Sequence, residues 1–472
     1  MCQSAMRGLR TIAAAALVFV VASPGPARAQ LSGPIAPGTL GGGVPAGAAT
    51  ATTIDLTLHD AIERGLAHNL GVLVGQQRLR AADGARWMAT SGLLPTVGAH
   101  LAESNNKINL EAYGFPVAPG ESPLIGPFSV SDRRISVSQA LFDLSAIDEA
   151  RAGAAMKSAA EFGYQDVREQ VVIAIANQYF QAVATASRIE SARAQLRTAE
   201  ALYDRAVSMK QAGMVAGIEV VRAQVQVENH KQLVITSEND FAKQKLALAR
   251  AIGLPLGQPF SLTDRVPYKA FETMPLDEAI GEALAHRADY QAMAQVVKSA
   301  ELARQAAWAE LLPSLHLNAD YGDIGPTWGS ALGTFSVMAA VRIPLFQAGR
   351  ERGRILQADA AMQLARAQAA DMKVRIEYDV RAAFLDLHAA DERVHVAQVA
   401  ADLAARQLTQ TQDRFSAGVA SHVEVVQAQD AVATASDNLI NSLFAHNLAK
   451  AAVARALGVA EQTAERLLGG QQ

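Results

Sequence analysis

The segment Leu58-His59-Asp60-Ala61-Ile62-Glu63-Arg64-Gly65-Leu66-Ala67-His68-Asn69 returns as Leu276-Asp277-Glu278-Ala279-Ile280-Gly281-Glu282-Ala283-Leu284-Ala285-His286-Arg287, 218 residues later. The helix-ending Leu93-Leu94-Pro95 returns as Leu311-Leu312-Pro313 at the same offset. A register held that long marks one unit written twice. Ala212-Gly213, Glu219-Val220-Val221 and Ala223-Gln224 likewise return as Ala417-Gly418, Glu424-Val425-Val426 and Ala428-Gln429, now 205 residues later, and Arg250 and Gly253 return as Arg455 and Gly458. Halves of roughly 205 residues exceed the periods of solenoids, so the duplication predicts pseudo-symmetry within one protomer.

Each half reads as helix, two strands, long helix, turn and shorter helix. In the first, Asp55 or Thr57 opens a helix that runs unbroken to about Gly92, where Pro95 forces the chain out of helical geometry. Val97, Ala99 and Leu101 then alternate with Thr96, Gly98 and His100, and Leu315, Leu317, Ala319 and Tyr321 alternate at the equivalent place. Return strands carry Ile135, Val137 and Gln139, and Phe335, Val337, Ala339, Val341 and Ile343, with Leu141-Phe142 and Leu345-Phe346 after them. One face is apolar and one polar. The connections 102–130 and 322–333 are loops, whose Tyr113, Phe115 and Trp328 fit an interfacial belt and simple loop packing equally.

The long helices carry a seven-residue apolar period at Ile175, Ala182, Ile189, Leu196 and Tyr203, and at Val380, Leu387, Val394, Ala401, Leu408 and Phe415. Val220, Val227, Val234, Phe241 and Leu248 continue it after the first turn, and Val425, Val432, Leu439, His446 and Val453 after the second. That period means left-handed coiled-coil packing. The expected layout is repeat 1 over 54–265, with a hairpin at 96–140 and a tip turn at 212–216. Repeat 2 covers 266–462, with a hairpin at 314–344 and a tip turn at 417–421, and a tail follows at 463–472.

Arg7 and Arg10, an apolar run from Ile12 to Ala22 and Ala27-Arg28-Ala29 read as a cleaved export signal over 1–29, followed by a flexible Gly/Ala/Pro/Thr leader over 30–53. The only cysteine, Cys2, precedes the apolar run, so a lipoprotein and a disulfide are both excluded. Losing three arginines with the signal takes the formal charge from −4 to −7, without a basic block, which argues against nucleic acid. No later stretch is long and apolar enough for a transmembrane helix.

Four strands with one apolar face cannot bury their own edges, and open edges are not tolerated in lipid. Closure requires several copies; three would give twelve strands and an aqueous lumen. The chain resembles the TolC-like outer membrane efflux family. The likeness lies in the Leu-Leu-Pro helix ends, in Ile343-Pro344-Leu345-Phe346-Gln347-Ala348-Gly349-Arg350, and in Arg414-Phe415-Ser416-Ala417-Gly418 leading to Val423-Glu424-Val425-Val426. It implies a mainly α fold with a β-barrel portion. A homotrimer would form a 12-stranded outer membrane barrel, in contact with lipid, continuous with an α-helical coiled-coil barrel across the periplasm of a Gram-negative cell. Pro95, Pro313 and Pro344 are candidate helix-strand swivels, or ordinary terminators.

The resemblance also implies that the tip meets a periplasmic adaptor (membrane fusion) protein, which couples it to an inner-membrane pump of RND, ABC or MFS type. Ala212, Gly213, Met214 and Val215, with Arg414, Ala417, Gly418, Val419 and Ala420, are the docking candidates, while Gly213 and Gly418 equally serve as helix C-caps. Met209-Lys210 in the first turn replaces the Arg414-Phe415 of the second, so the two tips should dock unequally. Glu424 matches an acidic constriction of related channels, and Gln427 stands where they carry another acid. Glu219 is its repeat-1 counterpart, with Arg222 available as a partner; the competing reading for both acids is helix N-terminal stabilisation.

His68 and His286 stand alone on their helices, without metal-ligand spacing, and no nucleotide-binding or zinc-protease motif appears. No cofactor, metal or enzymatic constellation is expected. The reading is a passive small-molecule exit duct opened by docking. Its rivals are the same architecture in type I protein secretion and a non-porating coiled-coil envelope protein.

Overall fold

The computed structural model describes residues 37–118, 120–263, 268, 274–417 and 419–463. The export signal over 1–29, docking candidate Gly418 and most of the expected tail lie outside them.

The chain runs α1 (Pro37–Leu40), β1 (Ile54–Leu56), α2 (Leu58–His68), α3 (Leu70–Ser91), β2 (Thr96–Asn109), β3 (Leu124–Phe142), α4 (Leu144–Gln211) and α5 (Gly217–Ala251). The second half follows as β4 (Phe260–Leu262), α6 (Leu276–His286), α7 (Ala288–Ala309), β5 (Ser314–Gly325), β6 (Leu332–Arg342), α8 (Arg350–Ser416), α9 (His422–Ala456) and α10 (Ala460–Thr463).

The coiled-coil period sets the helical core. Val380, Leu387, Val394 and Phe415 are buried, and so is a second heptad of alanines, Ala383, Ala390, Ala397 and Ala404. On α4, Ile175, Ala182 and Ile189 are buried before the stripe passes to Ala192, Ala199 and Ala206. Alanine at the contact positions lets paired helices approach closely along rods of 68 and 67 residues.

The first helix does not run unbroken to Gly92. Thr57 caps it, its hydroxyl accepting from Asp60 N while Asp60 accepts from Thr57 N, but Asp55 belongs to β1, and the helix breaks at Asn69. Asn69 is fully buried. Its side chain accepts from Gly71 N at 2.8 Å and donates to Leu40 O and Ala251 O. The second half breaks in register at Arg287, whose guanidinium reaches Asp289 and Asp379. Gly253 and Gly458 pack against these breaks with φ of +67° and +73°.

The segment composition marks as a loose leader is bonded to the body from residue 40 on. Val44 N donates to His68 O, Thr50 N to Gln258 Oε1, and β1 pairs in parallel with β4. These two three-residue strands, one before α2 and one after α5, are too short for the sequence to mark.

The four longer strands form one sheet, ordered β2-β3-β5-β6 and antiparallel throughout. The strands extend into the segments expected as loops, leaving 110–123 and 326–331 as connections. Register aligns Val97, Val137, Ala319 and Val337 in one row and Ala99, Ile135, Tyr321 and Phe335 in the next, so the apolar face is continuous across both repeats. Gly98, Ser136, Asp320 and Ser336 form a row of the opposite face, where Arg134 pairs with Asp320. Leu141-Phe142 belongs to β3 itself rather than following it, and an irregularity between Ala140 and Phe142 sets Phe142 opposite Leu315. Leu345-Phe346 does follow β6.

Candidate functional site

The two helical turns close alike. Met214 N donates to Met209 O at 2.9 Å, and Val419 N to Arg414 O at 3.0 Å, a six-residue closure that in the first turn follows a left-handed residue. Gly213 supplies that residue in the first turn at φ +74°. Met214 and Val419 project into solvent, two-thirds exposed, and Ala212, Gly213, Arg414 and Ala417 are exposed beside them. Val215 and Ala420 turn inward, lining a cavity of about 250 Å³ between the two turns with Ala206, Glu219, Phe415 and Val423. Phe415 is buried there, so the second turn carries an aromatic floor that Lys210 cannot supply to the first.

The two acids behave differently, and the residue three places before each explains it. Ser421 caps α9: Glu424 N donates to its hydroxyl at 3.3 Å, and Ser421 N donates to Glu424 Oε1 at 2.9 Å. The Ser421 N–H, and then its hydroxyl, hold the Glu424 carboxyl below its ordinary range. Ala216 offers α5 no capping side chain, so Glu219 turns to Arg222, whose Nη1 lies 2.6 Å from Oε1; Oε2 is buried without a hydrogen-bond partner among the described residues. Glu424 and Gln427 are both exposed, one turn apart, while Val425 and Ala428, each following one of them, are buried. The geometry therefore supplies the capping role in full for Glu424 and leaves its charge on the open face.

Pro95 and Pro313 stand between a helix end and a strand start; Leu94 N and Leu312 N donate to Ser91 O and Ala309 O just before them. Pro344 differs. It lies in a seven-residue link, Ile343–Gly349, that ends in two left-handed residues, Ala348 and Gly349, whereas β3 enters α4 through Asp143 alone, which caps Ala146 N at 3.1 Å.

At the far end of the sheet, Arg133 sits on the apolar face but pairs bidentately with Asp323, at 2.6 and 2.7 Å, and lies 5.2 Å from the Trp328 ring. The Trp328 indole donates to Glu103 at 3.2 Å. His286 is exposed against Glu282, and among the described residues no group of three His, Cys, Asp or Glu side chains could hold a metal. No described helix is long and apolar enough to cross a membrane.

A duplicated set of long helix pairs bearing one four-stranded, open-edged sheet defines a subunit of an envelope channel. The outer membrane efflux protein model matches residues 61–254 and 279–459, and the chain belongs to that family. It is 24% identical over 416 residues to the pyoverdine export outer membrane protein OpmQ of Pseudomonas putida, spanning 84% of each chain. It is 22% identical over 320 residues to the alkaline protease secretion protein AprF of Pseudomonas aeruginosa, spanning 66% of each. Its fold matches the outer membrane protein VceC of Vibrio cholerae at a TM-score of 0.72 and 21% identity, covering 85% of this chain and 96% of that one. It matches the open-state MtrE outer membrane channel of Neisseria gonorrhoeae at 0.73 and 17%, covering 88% and 94%. The two gaps of the family match, before residue 61 and over 255–278, contain β1 and β4.

Proposed function

We propose that three copies of this chain close a twelve-stranded barrel in the outer membrane, continuous with a helical barrel in the periplasm, as a passive exit duct for small molecules. An adaptor and an inner-membrane pump dock at its tip and open it. The observation that carries this reading is a sheet with two unpaired edges, β2 and β6, beneath one continuous apolar face. Backbone groups at such edges have no water to bond in a bilayer, and pairing β6 of one copy with β2 of the next removes them all.

The helices support the same closure. Leu385, Val396 and Leu403 on α8, and Val221, Val225 and Ile235 on α5, are exposed apolar side chains on the outer helices of the protomer. Apolar stripes of that extent call for cover, and a ring of copies sets α8 of one against α5 of the next. The OpmQ likeness spans more of the chain than the AprF likeness, which favours small-molecule export over protein secretion.

At the tip, rings of Glu424 and Gln427, and of Glu219 with Arg222, form the constriction, and the exposed turn residues meet the adaptor. Glu424→Gln is the decisive variant, because Gln also completes a capping box while removing the charge. In planar bilayers it should raise closed-state conductance and weaken cation preference without loss of trimer stability. Conductance and selectivity equal to those of the unsubstituted channel would refute the gate.

A further inference from the structure

Above the tip, the four lower helices enclose a second cavity, of about 340 Å³. Ser191, Gln195 and Thr198 line it from one face of α4, and Gln429, Val432 and Ser436 from one face of α9, with His230 of α5 and Leu408 of α8 completing the wall. The repeat shows how unusual this seam is. At the 205-residue offset, Ser191, Gln195 and Thr198 correspond to Val396, Ala400 and Leu403, apolar residues on the exposed face of α8. On α4 the equivalent face meets α9 and carries hydrogen-bonding side chains in their place, opposite Gln429, which is Gln224 in the first repeat.

On α4, Gln195 Nε2 donates to Ser191 Oγ at 3.2 Å and Thr198 donates to Ala194 O at 3.1 Å, which leaves one amide atom on each side of the seam unmet. Gln429 is 7% exposed, yet its Nε2 has no hydrogen-bond partner among the described residues, and neither has Gln195 Oε1. A buried amide left in that state is costly, so an unmet donor on Gln429 and an unmet acceptor on Gln195 in one cavity point to a ligand that satisfies them. No carboxylate or ammonium lines the wall. Burial depresses the His230 pKa, against the opposing pull of Asp430, which keeps that ring neutral. The volume falls in the range of small-molecule pockets, and the remaining lining, with Ala194, Leu439 and Ile440, is apolar.

We propose that this cavity is a binding site for a small uncharged amphiphile carrying both a hydrogen-bond donor and an acceptor. The ligand accepts from Gln429, donates to Gln195 and buries its ring or chain against α9 and Leu408. Binding does not depend on the chain's acting as a duct, and it is read directly.

The test uses the full trimer in nanodiscs with benzanilide, an uncharged secondary amide, as probe. Saturable binding is followed by titration calorimetry, with protein-free nanodiscs giving the partition into lipid. Unsubstituted protein should show one saturable site per protomer. Ala194→Trp, which fills the cavity, should abolish it, and Gln429→Leu should weaken it at least tenfold, both at unchanged trimer migration and helix content. Signal matching empty nanodiscs, or saturable binding that neither variant alters, would overturn the assignment.

Discussion

Arg455 Nη1 lies 2.7 Å from Glu169 Oε2, tying the end of α9 in the second repeat to the middle of α4 in the first. The same guanidinium reaches Asp166, and Arg168 beside them pairs with Glu461 of α10. The counterpart of Arg455 in the first repeat, Arg250, is exposed. One repeat thus uses its conserved register position to clasp the other.

Replacing Arg455 with Met leaves two largely buried carboxylates facing each other, and stability should fall by roughly 3 kcal/mol, as when one partner of a buried pair is removed. Arg250→Met should cost under about 0.5 kcal/mol, as an exposed substitution. Burial already raises the Glu169 pKa, while Arg455 pulls it down. A raised folded-state pKa contributes stability that is present below the unfolded value and lost as pH rises through the folded one. Without Arg455 that pKa climbs further, so the deficit of the variant should be full at neutral pH and shrink towards pH 4. Thermal unfolding followed by circular dichroism across that range checks both; a deficit that grows on acidification contradicts the account.

Gly253 offers a sharper test of the repeat's closure. A Cβ there would lie 2.4 Å from His68 Cβ and 2.8 Å from Val44 O, at a φ that L residues avoid. Gly253→Ala should destabilise by about 2 kcal/mol or more, combining left-handed strain with a backbone clash. Gly47 has a similar φ, +80°, but open space around it, so Gly47→Ala should cost only the strain, about 1 kcal/mol. Equal shifts in melting temperature for the two would remove the packing contribution.

The comparison of Gly253 with His68 also shows what the sequence makes legible. Heptads and hairpins were readable because burial imposes a strict period on every seventh or second residue, and the helix cap at Thr57 because its capping box is local. The break at Asn69 was not. Asparagine is weak in helix interiors and favoured at N-caps, but one such residue inside an apolar-periodic stretch does not mark a break by itself; what stops the helix is the demand of Leu40 O, Gly71 N and Ala251 O for that one side chain. Strands of three residues such as β1 and β4 carry too little period to stand out. At the tip, the positions of Glu219 and Glu424 followed from the repeat, but their unlike partners turn on a single exchange, Ala216 for Ser421.

The sheet makes a depth-dependent prediction. Val337 and Ser336 are adjacent on β6 and point to opposite faces. Val337→Arg should cost roughly 2 to 4 kcal/mol if that face meets lipid at mid-depth, and trimer yield in outer membranes should drop. Ser336→Arg, on the opposite polar face, should assemble normally and, if that face lines a lumen, shift the channel towards anion preference. Normal assembly of Val337→Arg would contradict a lipid-facing apolar surface.

The cap at Ser421 carries a pH prediction for the second tip. Because Ser421 depresses the Glu424 pKa, the cap's contribution is present above the ordinary glutamate range and lost as pH falls through the depressed value. Cation selectivity that depends on Glu424 should therefore persist into more acidic solution than an ordinary glutamate allows. Ser421→Ala removes the hydroxyl, the second of the two causes, and should move the midpoint upward. In the first repeat the reverse exchange, Ala216→Ser, offers Glu219 the cap that Glu424 already has, so its carboxylate should exchange Arg222 for the N-terminus of α5 and stabilise that helix by about 1 kcal/mol. Single-channel selectivity against pH checks the Glu424 prediction: a midpoint unmoved by Ser421→Ala would show that the Glu424 charge is not the one the permeating ion meets.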